Sequence, residues 1–206
     1  MKEQKEARRR GRPRGFDERA VVDAAQTLFW RDGAAGVSLD QLSAATGLHK
    51  PSIYGAFGGR AGLYVAALDA YIERGAPDVS GALSAKPLSD ALRAFYKADL
   101  DVFCAKQHAP GCFLIGTAID AAAESEEVRE RVDMVFAGLR RTLRRRVEAG
   151  VADGDLAANA DVDAITEIVF ATHVALAVEA RSGSSRRELT KRFESVVRLI
   201  AAMGPS

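Results

Sequence analysis

From Phe16 onward apolar residues recur at intervals of three and four along almost the whole chain, and no stretch shows the strict alternation of a half-buried strand. The pattern predicts an all-α protein of about nine helices. Val21, Ala24, Ala25, Leu28 and Phe29 share one face of a first helix. Asp17 is its N-cap, Phe16 and Val21 are placed as a hydrophobic staple, and Asp32-Gly33 is the stop. A second helix opens at Ser38, with Gln41 three residues on to close a capping box and Val37 and Leu42 positioned as a staple. Leu39, Leu42 and Ala45 then fall together, and Gly47, which takes positive φ at little cost, ends the helix. A third begins at His49 or Lys50, where Pro51 in the first turn sacrifices no hydrogen bond. Ile53 and Phe57 point inward, four residues apart. Lys50, Ser52, Tyr54 and Gly55 are left facing away from the core.

Gly58-Gly59 closes that helix and Arg60 opens a fourth, expected to end at Gly75. Leu63, Ala67 and Tyr71 form one stripe on it, and Tyr64, Leu68 and Ile72 the adjacent one, so it has apolar surface for two cores. Residues 75–88, with Pro77 and Pro87, read as a loop. Leu92, Phe95, Tyr96 and Phe103 mark a fifth helix, and a loop follows at 107–111. The almost wholly apolar run Cys112 to Ala123 is expected to be a buried sixth helix. Ser125 caps a long seventh, in which Val128, Val132, Val135, Leu139, Leu143 and Val147 keep the period. After a loop over 150–161, the eighth runs from Val162 to Arg181, and the ninth starts at Ser185 with a Glu188 capping box.

Two helices joined by a tight glycine turn, the second presenting a polar outer face, are the pattern of a DNA-binding helix-turn-helix over residues 38–57. Charge supports it. The 206 residues sum to only +1, yet residues 1–60 hold 11 Lys and Arg against 7 Asp and Glu. Residues 1–15 alone carry seven basic groups against two acidic ones and show no helical or strand period, so they read as a disordered basic arm. Within it Arg10-Gly11-Arg12-Pro13 resembles the core of an AT-hook, which implies a minor-groove or phosphate contact for Arg10 and Arg12, weighed against a solvated basic tail that only raises nonspecific affinity.

The run from Gly47 to Leu68 is specific enough to name a family. Gly47, Leu48, Lys50, Ser52, Ile53, Tyr54 and Phe57 match in order the recognition-helix segment of TetR/AcrR transcriptional regulators, which it resembles. Arg60 stands at that family's usual Lys, and His49 and the pair Gly55-Ala56 depart from its commoner residues. GCFLIGTAIDAA at 111–122 and AGVADGDL at 149–156 look like segments common in one of its branches. The resemblance implies a DNA-binding domain over 16–75 and a helical effector-binding and dimerisation domain over 76–206. It also implies a homodimer on a palindromic double-stranded DNA operator and release by a small-molecule effector. On this reading Ser38, Lys50, Tyr54 and Arg60 hold phosphates, while His49, Pro51, Ser52 and Gly55 approach the groove.

The last two helices carry more apolar surface than one core needs, and in this family the corresponding pair forms a four-helix bundle across a two-fold axis. Ile168, Thr172, Leu176, Phe193, Val197 and Ile200 are the expected interface. The expected effector wall is Phe95, Phe103, Cys112, Phe113, Thr117, Phe136, Phe170 and His173, weighed against an ordinary filled core of the same composition. Cys112, at a helix N-terminus that favours the thiolate, is in addition a candidate electrophile or redox sensor, weighed against an inert buried thiol.

Other classes gain little from the residues. No Glu-x-x-His pair, HExxH, CxxC or phosphate loop occurs, so no enzyme, cofactor or metal site is expected. The basic N-terminus lacks the apolar stretch of a secretory signal, and no apolar run approaches a membrane span, which predicts a cytoplasmic chain. Two alternatives stay open at this point. One is an architectural DNA binder driven by the Arg-rich arm, the other a helical enzyme or binding protein that merely carries such an arm.

Overall fold

The computed structural model describes residues 16–205, apart from the side chains of residues 76–78 and 124. Among the described residues there are nine α-helices and no strand: α1 Glu18–Asp32, α2 Leu39–Thr46, α3 Lys50–Phe57, α4 Arg60–Leu83, α5 Leu88–Phe103, α6 Phe113–Glu124, α7 Glu126–Ala152, α8 Val162–Arg181 and α9 Arg186–Ala201. Local start and stop chemistry sets most of these limits. Asp17 accepts from the backbone N–H groups of Arg19 and Ala20, and both Ser38 with Gln41 and Ser185 with Glu188 form reciprocal capping boxes. Gly47 and Gly58 end α2 and α3 at φ 70° and 78°.

α1, α2 and α3 pack around Phe29, Leu42 and Ile53, all fully buried, and α4 carries that core into the remaining helices. Tyr64 is the joint. Its ring meets Phe29 of α1 edge-on at 5.4 Å and Phe113 of α6 at 5.7 Å. Beyond it, α5 is held between α8 and α9, with Tyr96 stacked on Phe193 and donating to the carbonyl of Val169 at 3.1 Å. α7 lies across α6 and α8.

Two expected elements differ. α4 does not stop at Gly75 but continues through Pro77 to Leu83, so a boundary drawn at residues 75–76 falls inside a helix. Leu83 is buried and Val79 and Ala82 pack on the core; this burial holds the last turns helical against the unfavourable Gly and Pro. α6 is buried on one side only. Gly116, Ile119, Asp120 and Ala123 face solvent, Ile119 at 84% exposure.

Candidate nucleic-acid interface and helical body

The outward face of α3 is assembled by its neighbours. Pro51 sits in the first turn, Ile53 is locked in the core, and His49, Lys50, Ser52, Tyr54 and Gly55 are exposed together with Pro51. The Tyr54 ring, 56% exposed, lies over the backbone of Gly59, which has φ 109°. A Cβ there would come within 2.9 Å of Tyr54 Cε1, so only glycine both adopts the backbone and leaves room for the ring. Gly55 has open space where a side chain would stand. Ser38 is exposed, but its hydroxyl is engaged with Gln41 in the capping box. Lys50 Nζ lies 2.7 Å from Asp40 Oδ1 at the first turn of α2. These are the only charged residues between 38 and 59, so the two short helices together are neutral.

Arg60 does not extend toward this face. Its Nη1 donates to the carbonyls of Ala34 at 2.5 Å and Val37 at 3.3 Å, bracing the α1–α2 connection from beneath. A guanidinium facing the open carbonyls of a turn makes charge-assisted hydrogen bonds there, so Nη1 is engaged inside the protein. Arg10 and Arg12 lie outside the described residues.

The expected effector residues are brought together in two groups rather than one wall. Phe113, Thr117 and Cys112 face α4 and α1. Thr117 Oγ1 is 2.7 Å from the Tyr64 hydroxyl, Cys112 Sγ is 3.3 Å from the Tyr71 hydroxyl, and Trp30 meets Tyr71 and Phe113 edge-on. Phe95, Phe103 and Phe170 instead surround His173, whose Nδ1 is 2.8 Å from Asp99 Oδ2. Phe136 meets the Phe170 ring edge-on at 5.7 Å and is half-buried. The sequence reading missed Trp30, Tyr64, Tyr71 and Asp99. For Asp99 a signal existed: it stands four residues after Phe95 and four before Phe103, a carboxylate on an apolar stripe.

Burial governs the titrating groups here. It raises the Asp99 carboxyl, against the pull of His173. Burial, then the neighbouring Cys112 and Asp99, hold the Tyr71 hydroxyl well above its ordinary value, and burial pushes Tyr64 up to about 12. Cys112 is the N-cap of α6, where the nearby backbone of Ile115 and Leu114 and the Tyr71 hydroxyl favour the thiolate, yet burial outweighs them and the thiol is raised, not lowered. A thiol so placed carries little thiolate at neutral pH. Both cysteines are free, and among the described residues no three His, Cys, Asp or Glu are grouped to hold a metal ion.

Four of the six expected interface residues are inside the protomer. Leu176, Phe193, Val197 and Ile200 are at most 1% exposed. The stripe of α9 that carries the period is the one α5 consumes. The surplus lies on other faces of the two helices, on smaller residues. Ala171, Val174, Ala175 and Val178 line a groove of about 490 Å³ between α7 and α8, and Thr172, Ala175, Ser195 and Val196 line one of about 510 Å³ between α8 and α9. Val178 is 51% and Leu199 54% exposed. The arginines of α7 are mostly spoken for: Arg140 pairs with Glu167 and covers the Phe170 ring, Arg144 pairs with Glu148 and Asp163, and Arg146 donates to the Ala85 carbonyl. No helix among the described residues is long and apolar enough to cross a membrane.

Known proteins share this arrangement. Residues 21–67 match the family "Bacterial regulatory proteins, tetR family", and residues 89–199 match "Tetracyclin repressor-like, C-terminal domain". The HTH-type transcriptional repressor ComR of Escherichia coli (strain K12) is 31% identical over 192 residues, 92% of this chain and 91% of ComR. The HTH-type transcriptional repressor BdcR of the same organism is 36% identical over 93 residues, 45% of this chain and 43% of BdcR. Among solved structures, a cysteine mutant of the TetR family transcriptional regulator CifR complexed with 26bp double-strand operator DNA superposes with a TM-score of 0.84. It is 29% identical, and the match covers 91% of this chain and 98% of the other. With its helix-turn-helix presented on α3 and its helical body matched over most of its length, the chain belongs to the TetR family of bacterial regulatory proteins.

Proposed function

We propose that this chain is a one-component transcriptional repressor that acts in the cytoplasm as a homodimer, reads a palindromic operator with α3, and leaves it when a small apolar effector enters the body. The observation that carries the reading is the exposed face of α3, where Lys50, Ser52 and Tyr54 stand on a helix anchored by Ile53 and fixed by glycine turns at both ends. The names of ComR and CifR, a repressor and a regulator on operator DNA, support it. Lys50 and Tyr54 take phosphates, and His49, Pro51, Ser52 and Gly55 approach the bases. The two-fold interface is the outer face of α8 and α9, where Ala171 and Ala175, one turn apart, let a partner helix approach closely between Val174, Val178, Val196 and Leu199. The effector site is built around Asp99 and His173, which gives an apolar molecule a hydrogen-bonding anchor among Phe95, Phe103 and Phe170.

Selection from a pool of random duplexes tests the reading. Enrichment of an inverted repeat with half-sites about one helical turn apart, bound with roughly 10³-fold preference over bulk DNA, is the expected outcome. Uniform binding without enrichment would support the architectural reading instead.

A further inference from the structure

We propose that Arg181, the last residue of α8, is a positioning residue that sets the spacing of the two recognition helices by fastening α1 to the dimer-forming helix; this rests on the operator-binding dimer proposed above. Arg181 Nη1 donates to the carbonyl of Trp30 at 2.7 Å and Nη2 to that of Arg31 at 3.2 Å. Those carbonyls belong to the final turn of α1, where a helix leaves acceptors without partners and favours a cation. Only three residues earlier on α8 stands Val178, on the face assigned to the partner. One turn of helix therefore touches both the two-fold axis and the reading end of the molecule.

The joint is built from three sides. Nη1 also reaches the Pro110 carbonyl at 3.5 Å. Gly111, at φ 86°, is seated so close to α8 that a Cβ would fall 2.7 Å from the Ala177 carbonyl oxygen and 3.3 Å from Arg181 Cβ. The same loop places the His108 ring on Trp30, stacked at 3.7 Å and 17°. Trp30 is thus held by its carbonyl from α8 and by its ring from the α5–α6 loop, while it is itself 4% exposed. α1 in turn packs on α2 and α4, so its direction fixes that of the helix-turn-helix. This route from the dimer face to the recognition helix does not run through α4.

Adding one base pair to DNA moves a half-site by about 3.4 Å and turns it around the axis, so tolerance of spacing reports how firmly two reading ends are held apart. The test uses the palindrome that the wild-type protein selects, the same duplex with one base pair added at its centre, and a single half-site. Wild type discriminates between the two spacings; Arg181→Ala is expected to lose about tenfold of that discrimination while half-site affinity and dimer mass stay unchanged. Arg181→Lys keeps the charge but offers one nitrogen where the guanidinium sets two against the two carbonyls; it falls between, and it carries the test by itself should the alanine variant fail to fold. An unchanged spacing preference in both variants, or an equal loss on all three duplexes, overturns the positioning role. Failure of wild type to select any palindrome overturns the dimer reading with it.

Discussion

Lys50 Nζ is bound 2.7 Å from Asp40 Oδ1, so the only cation of the recognition helix is shared with a carboxylate on the helix before it. Both side chains are well exposed, and a pair in that setting is worth at most about 1 kcal/mol, which leaves Lys50 free to exchange Asp40 for a phosphate. Lys50→Ala is expected to weaken binding to all duplexes alike and to flatten the salt slope by about one unit. Asp40→Asn is expected to act in the opposite direction, strengthening binding to unrelated DNA more than to the operator. Anisotropy titrations over a salt series read both effects, and an altered base preference at constant affinity would contradict the phosphate assignment.

Gly59 bears the second positive φ after α3, beneath the Tyr54 ring. Gly59→Ala adds backbone strain of roughly 1–3 kcal/mol and drives Tyr54 from its place. Thermal denaturation should show the loss of stability, and operator affinity should fall with it. A variant as stable as wild type that binds normally would mean that the ring is not held where the structure has it.

The outer and inner stripes of α8 and α9 separate folding from assembly. Val178→Arg puts a charge on the exposed face and is expected to leave a helical monomer that no longer binds the palindrome tightly. Val197→Arg puts one in a fully buried position against α5 and should unfold the protomer itself, since an unpaired buried charge costs several kcal/mol. Sedimentation and circular dichroism distinguish the two. Two folded dimers would place the interface elsewhere.

Tyr64 predicts an alkaline signature. Its folded value of about 12 lies above its ordinary 10, so its contribution is whole below about pH 10 and is lost as pH climbs toward 12; Tyr71 and Cys112, also raised, act in the same direction. Tyr64→Phe gives up the bond to Thr117 and should cost about 1 kcal/mol near pH 8. By about pH 11 wild type has lost a similar amount, so the difference should close. Urea unfolding at both pH values measures it, and a deficit that stays constant would show that Tyr64 ionises as freely in the fold as outside it.

What could be read from the chain was the chemistry that acts over a few residues. Ser38 with Gln41, Ser185 with Glu188, the left-handed Gly47 and the limits of α8 all declare themselves locally, and with them the outward face of α3. Long-range competition was not legible in that way. Leu83 holds α4 helical past Pro77 only because something distant covers it, and Arg60 turns inward because carbonyls 23 and 26 residues away are open to it. Four of the six expected interface residues are buried in the protomer for a related reason: periodicity names the strongest apolar stripe of a helix, and in α9 that stripe belongs to the protomer's own core. The leftover alanines and valines on which a partner can sit are too small to stand out in a pattern.

α4 runs without a break from the foot of the recognition helix to the far side of the body. Its 24 residues make a rod about 36 Å long. Carried over that whole length, a tilt of about 5° imposed at one end appears as about 3 Å at the other, near one base-pair step of DNA. On the proposed reading, an effector need not rearrange the fold to end repression. It has only to favour one resting angle of a single helix over another.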